Sequence, residues 1–309
     1  MCNSVPVIDI AELESAASLA AIDRACREWG FFQVVGHDIE QQQLAGVLAV
    51  ARDFFAQPAA DKRLILRDAS NPWGYYDQEL TKNRRDWKEI FDFGPSDGPG
   101  IRARWPIGPL RLRFEPTIRA YYASCRLLAL RLLAALASNL GVPPARLARG
   151  FDAAHTSFLR LNFYPRYRGD GDAAPPLGVG EHTDSGALTV LLQDQEPGLE
   201  VRRDGRWHLV EPRSDALVIN IGDIVQVWSN DRYRAALHRV PANPRRERYS
   251  VPFFLNPSYA TTYAPLATTI TAAQPARYRP IRWREFRTLR AAGDYADLGE
   301  EIQISHYRH

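Results

Sequence analysis

His182 and Asp184 stand two apart in the stretch G-E-H-T-D-S-G of residues 180–186. Side chains two apart in an extended strand share a face, so this imidazole and this carboxylate can reach one metal ion. The pair carries little weight by itself, because roughly 0.5 such H-x-D pairs are expected by chance in a chain of this composition. His238, in the later run A-A-L-H-R-V, supplies a second imidazole on another β-rich segment. Two imidazoles and one carboxylate on one face of a metal suit Fe(II) and leave three octahedral positions open. A structural zinc site would be closed by four ligands, usually including cysteine, and no cysteine lies near these residues.

Arg248 and Ser250 form a second constellation, R-Y-S, again two apart on one strand face. An arginine fork beside a hydroxyl makes a socket for a carboxylate. Between His238 and Arg248 lie Pro241, Asn243 and Pro244, which predict a turn, so a hairpin is expected to bring Arg248 and Ser250 up to His238. After a given histidine, arginine at +10 with serine at +12 arises by chance in roughly 0.5% of cases. Taken singly, each residue has a plainer reading. His182 and Asp184 could bond to each other at the surface, His238 could be a core histidine, and Arg248 sits in a charged R-R-E-R run. Their joint occurrence favours a site. His37, His155, His208, His306 and His309 have no partner at metal-binding spacing, and G-V-G at 178–180 lacks the rest of a nucleotide fingerprint.

These residues need a β scaffold, and residues 155–256 predict one. Short β-rich runs at 157–164, 187–192, 199–202, 207–210, 217–221, 237–240 and 249–255 are separated by turn residues, with Asp204-Gly205 as a hairpin signal. This spacing predicts a sandwich or jelly roll. Upstream, the pattern is mixed: strands at 5–10 and 31–35, and amphipathic helices at 15–29 and 41–56. A glycine- and proline-rich stretch at 95–109 precedes the longest helical pattern, 114–140, which Gly141 ends.

Composition narrows the class. The 309 residues carry a net charge of +3, with 45% hydrophobic residues, as in an ordinary globular protein. The arginines are spread along the chain, so the basic stripe of a nucleic-acid protein is missing and none is expected as a partner. No uninterrupted apolar run of about 18 residues occurs, so no membrane association is expected. Cys2, Cys26 and Cys125 form no CxxC pair and read as reduced thiols, which with the lack of a secretory pattern at the start predicts a cytoplasmic protein.

Nearly the whole chain resembles the isopenicillin N synthase-like branch of the 2-oxoglutarate/Fe(II)-dependent dioxygenases. The likeness runs through VPVIDI, CREWGFFQVVGHDI, LRLNFYP, EHTDSGALTVLLQD, NIGDIVQVWSN, HRV, RYSVPFFLNP and the ending YADLGEEIQ, in the family's order. It departs where Phe163 replaces the first tyrosine of the family's R/K-x-N-Y-Y-P strand and where G-H-D-I at 36–39 replaces N-H-G-I. The resemblance implies a double-stranded β-helix (jelly-roll) core with a flanking N-terminal helical region. Its expected divisions are an N-terminal region at 1–110, a helix and connector at 111–154, the core at 155–258 and a C-terminal extension at 259–309.

It further implies iron on His182, Asp184 and His238, with 2-oxoglutarate held by Arg248 and Ser250 beside Tyr164 and Asn162. The implied reaction consumes O2 and oxidises a small organic molecule as 2-oxoglutarate becomes succinate and CO2. Hydroxylation is the default outcome, desaturation or ring closure the variants, and ascorbate an optional reductant. An oxoglutarate-independent Fe(II) oxidase of the same fold and a non-catalytic jelly-roll binding protein are the competing readings. Trp73, Tyr75, Tyr76, Trp87, Lys88, Phe93 and Phe254 are the candidate substrate-pocket residues, with Lys88 or an arginine anchoring a carboxylate.

Overall fold

The computed structural model describes residues 4–95, 101–169, 176–295 and 302–309. Its N-terminal third alternates short elements: β1 (Val7–Asp9), α1 (Ala16–Glu28), β2 (Phe31–Val35), α2 (Gln41–Phe55), α3 (Ala59–Arg63), β3 (Gly74–Tyr76), β4 (Leu80–Thr81), β5 (Arg84–Arg85) and β6 (Glu89–Phe93). Two helices follow, α4 (Arg111–Asn139) and α5 (Pro144–Ala148). The strand-rich part holds β7 (Phe158–Tyr164), β8 (Leu177–His182), β9 (Leu188–Gln193), β10 (Glu200–Arg203), β11 (Arg206–Leu209), β12 (Leu217–Ile221), β13 (His238–Pro241) and β14 (Arg248–Leu255), with α6 (Asp223–Trp228) between β12 and β13. The chain closes through β15 (Thr262–Tyr263), β16 (Ile281–Arg282) and α7 (Trp283–Tyr295).

An eight-stranded sheet, ordered β1-β2-β12-β9-β14-β7-β6-β3, faces a four-stranded one, ordered β11-β10-β13-β8. This is the expected jelly roll. Four strands of the large sheet come from residues before 110, so the N-terminal region supplies part of the core sheet as well as helices. The Asp204-Gly205 signal is met: both residues have positive φ (49° and 77°) and join β10 to β11 with Arg203 opposite Arg206. The expected hairpin from His238 to Arg248 does not form. Strand β13 pairs with β8 and β10, whereas β14 pairs with β7 and β9, so the chain crosses from one sheet to the other between them. The turn residues were read rightly, but a turn does not say which sheet the next strand joins.

Strand alternation sorts the side chains. In β14, Tyr249, Val251, Phe253 and Leu255 enter the main hydrophobic core, while Arg248, Ser250, Pro252 and Phe254 line the space between the sheets. In β7, Leu159 and Leu161 join the core, and Arg160, Asn162 and Tyr164 point inward. Against the outer face of the large sheet lies α4, whose buried side includes Phe114, Ile118, Tyr121, Leu128 and Leu132. Each such side chain contributes about 1.5–3 kcal/mol by leaving water. By length and composition α4 could cross a membrane, but half of its most apolar window is buried within this fold and it packs on α1, α2, β9 and β14.

Candidate active site

His182 is the last residue of β8 and lies directly opposite His238, the first of β13. The pairing sets their rings 4.2 Å apart. Asp184 follows in the turn after β8, so the pair is brought together by the strand end and the turn rather than by one continuous strand. That turn is pinned where the backbone N–H of Asp223 donates to the Asp184 carbonyl at 2.8 Å. Gly222 passes so close that a Cβ there would meet the Gly186 carbonyl oxygen at 2.2 Å.

The donor atoms are aimed. Nδ1 of His182 lies 2.8 Å from the Gly180 carbonyl, and Nδ1 of His238 lies 3.1 Å from the Ala236 carbonyl. A proton on each Nδ1 satisfies these contacts and leaves both Nε2 lone pairs free. Those Nε2 atoms face Oδ1 of Asp184 at 3.6 and 3.7 Å. Asp184 Oδ2 is occupied, accepting from Asn220 Nδ2 at 2.7 Å and from the Thr189 hydroxyl. One ligand atom from each of the three residues lies within 4.8 Å of the others. Burial, helped by the neighbouring His238, pulls the His182 imidazolium down to about 3, so the ring is neutral and able to ligate at physiological pH. Burial opposes ionisation of Asp184, but the two histidines, Asn220 and Thr189 outweigh it and lower its carboxyl. This donor set fits Fe(II).

Arg248 and Ser250, both 2% exposed, sit across the cavity from the histidines. The register of β14 on β7 sets Arg248 opposite Tyr164 and Ser250 opposite Asn162. The Arg248 guanidinium stands 5.1 Å from the centre of the Tyr164 ring. One bond, from Nη2 to Gln193 Oε1 at 3.0 Å, holds it, while buried Nε and Nη1 have no protein partner. Buried donors without partners are costly, so this fork is shaped for an anion from outside the chain. Asn162 Nδ2 donates to the Ser250 hydroxyl at 3.3 Å, and the side-chain Oδ1 of Asn162 also lacks a partner. Gly178 of the G-V-G run makes room, since a Cβ there would meet the Tyr164 ring at 2.7 Å.

The comparisons agree with this geometry. Residues 155–257 match the family model of the 2OG-Fe(II) oxygenase superfamily, and residues 5–109 match that of the non-haem dioxygenase in morphine synthesis N-terminal region. Gibberellin 20 oxidase 1-D of Triticum aestivum is 35% identical over 293 residues, 91% of this chain and 80% of that one. The chain belongs to the 2-oxoglutarate/Fe(II) oxygenase superfamily. Among solved structures, that of JOX2 in complex with 2OG, Fe and JA superposes with a TM-score of 0.81 at 30% identity, covering 92% of this chain and 84% of that one. The dioxygenase for auxin oxidation in rice gives 0.78 at 28% identity, over 99% and 100%. The protein is thus a 2-oxoglutarate-dependent Fe(II) dioxygenase acting on a small molecule.

Within this oxygenase the expected pocket residues divide. Lys88 and Phe254 line the cavity at the metal site, and Trp73 and Tyr76 line an adjoining outer cavity of about 530 Å³. Tyr75, Phe93 and Trp87 do not. Tyr75 is 2% exposed, packs on Phe54 and donates its hydroxyl to Glu89 at 2.9 Å. Phe93 packs on Trp105 and Tyr122, on the helix side of the sheet. Trp87 lies 39% exposed, against Tyr167, and donates to the Pro165 carbonyl. Strand alternation explains Tyr75 and Phe93, because β3 and β6 turn these two rings away from the cavity. Lys88 is not a free anchor either: its ammonium contacts Glu79 at 2.7 Å and Asp86 at 2.9 Å. Sequence reasoning missed Thr189, Asn220, Phe158 and Arg160. Strand alternation within the quoted motifs LRLNFYP and NIGDIVQVWSN could have flagged Arg160 and Asn220.

Proposed function

We propose that His182, Asp184 and His238 hold the iron, that Arg248 and Ser250 seat the distal carboxylate of 2-oxoglutarate, and that the enzyme hydroxylates its substrate. The observation carrying this reading is the buried Arg248 guanidinium, with two unpartnered nitrogens facing the same cavity as the triad. Iron and 2-oxoglutarate, when bound, would supply hydroxylation of one C–H bond by O2, one oxygen atom entering the substrate and the other entering succinate as 2-oxoglutarate loses CO2. The chain supplies position and dryness. Asn220 and Thr189 hold Asp184 so that one carboxylate oxygen faces the metal position, and the two backbone carbonyls hold the imidazoles. Leu191, Leu199 and Val240 line the far side of the cavity, where they exclude water from the co-substrate.

The substrate side lies towards Phe158, Phe254 and Trp73, where the metal-site cavity meets the outer one. The described cysteines, Cys26 and Cys125, are buried thiols outside any disulfide, which supports a reducing compartment such as the cytoplasm. The test is anaerobic loading with Fe(II) followed by 2-oxoglutarate. The wild type should develop the weak visible charge-transfer band of a keto acid chelated to iron. The Arg248→Ala protein should bind iron as before yet need far more 2-oxoglutarate to show the band. Equal loss of iron binding in that variant overturns the assignment of Arg248.

A further inference from the structure

The substrate-facing cavities contain many charges, and almost all are neutralised within the chain. Arg160 pairs with Glu79 at 2.7 Å and with Asp92 at 2.8 Å, and Arg67 pairs with Asp92 at 3.0 Å. Lys88 is shared by Glu79 and Asp86. Asp68 pairs with Arg104 at 2.6 Å, and Arg290 with Asp223 at 3.2 Å. Among the described residues lining these cavities, Arg287 is left as a cation with no hydrogen bond or ion pair, its guanidinium 5.9 Å from the centre of the Phe158 ring.

Arg287 lies three residues before the buried Arg290 on α7, hence on the same helix face, and that face is turned to the site. Its side chain borders both the cavity holding His182 and Asp184 and the outer cavity of about 530 Å³. Beneath it is an aromatic surface: Phe158 stacks on Phe254 at 4.7 Å between ring centres, and Trp73 leans on Phe158 at 6.1 Å. A half-buried, unneutralised guanidinium over apolar ring faces is chemistry for a molecule with an apolar ring body and one anionic group.

We infer that the substrate is a small ring-bearing carboxylate, its carboxylate held by Arg287 and its ring laid against Phe158, Phe254 and Trp73. This rests on the oxygenase site proposed above, since it is the path to His182 and Asp184 that gives the anchor its purpose.

The test uses the Fe(II)- and 2-oxoglutarate-loaded protein without oxygen. The probes are aryl and cycloalkyl carboxylates of one to four rings, each with its primary amide and its sulfonate, and binding is read by calorimetry. At least one carboxylate should bind roughly tenfold or more tighter than its amide. Arg287→Gln should abolish that preference while leaving amide binding and the melting temperature unchanged, and Arg284→Gln, on the exposed side of α7, should keep it. The inference is overturned if no carboxylate outbinds its amide, if a sulfonate outbinds its carboxylate, or if Arg287→Gln retains the preference. The charge-transfer band, recorded on the same samples, reports the iron and 2-oxoglutarate sites independently. Its absence would sink the site assignment without touching the carboxylate preference.

Discussion

Arg290 donates from Nη2 to the carbonyl of Thr183 at 2.7 Å, across 107 residues of chain. Helix α7 is thereby tied to the turn that carries Asp184, and the same guanidinium pairs with buried Asp223, whose N–H holds the Asp184 carbonyl. The C-terminal helix therefore braces the turn that carries Asp184. Arg290→Leu should cost about 3–5 kcal/mol of stability by breaking its buried ion pair with Asp223. Iron affinity should fall with it. Denaturant unfolding and iron titration check both, and a variant as stable as the wild type with unchanged iron binding would refute the link.

Asn220 and Thr189 both bond Oδ2 of Asp184 and through it would act on a metal held there. Asn220→Ala or Thr189→Val removes one of the two bonds that hold Oδ2 of Asp184, so the carboxylate is less restrained and Oδ1 is less well aimed. Iron affinity should drop about 10–100-fold in either variant, with the fold retained. Competition with a chelator of known strength measures this directly.

Gly222 should tolerate no side chain. A Cβ at that position would press on the carbonyl oxygens of Gly186 and Asp184, at 2.2 and 2.8 Å. Gly222→Ala should displace the turn after β8 and weaken iron binding more than Gly205→Ala, a substitution that meets no atom within 4 Å but sits at positive φ. Iron titration of both proteins, beside their melting curves, separates a local effect on the turn from a loss of stability.

Glu79 balances a buried cluster in which Arg160, Lys88 and Arg67 all reach it. Burial favours its neutral form, but these three cations prevail and hold its carboxyl well below the ordinary glutamate range. The sign follows: its contribution is complete above the ordinary glutamate range and is lost progressively as pH falls from there through the lower value of the folded protein. Glu79→Gln should cost about 3–5 kcal/mol at neutral pH and flatten the fall of stability in acid. Urea unfolding across that range is the measurement.

Trp73 and Trp87 should behave differently despite their closeness in sequence. Trp73 lines the outer cavity and touches Phe158, whereas Trp87 lies against Tyr167 away from the site. Trp73→Ala should raise KM for the substrate, and Trp87→Ala should leave turnover within about twofold of wild type. Equal effects would mean that the substrate takes another path.

What the sequence determined by itself rests on short-range regularity. Side chains two apart in a strand share a face, so H-x-D and R-x-S could be read as sites before any strand was placed, and the turn residues marked most strand ends. The period of two also explains why β7 and β14 turn Asn162, Tyr164, Arg248 and Ser250 to one cavity. Tertiary structure decided the rest, because sheet membership and helix docking depend on contacts between distant segments. It placed β13 and β14 in opposite sheets, so Arg248 meets the metal site across the barrel interior rather than along a hairpin. It turned Tyr75 and Phe93 into the core and committed Lys88 to two carboxylates. Finally, it packed α7 against the site, where ion pairs take up the other described arginine and lysine side chains lining the cavities and leave Arg287 facing them, a consequence of pairing that no local pattern around residue 287 encodes.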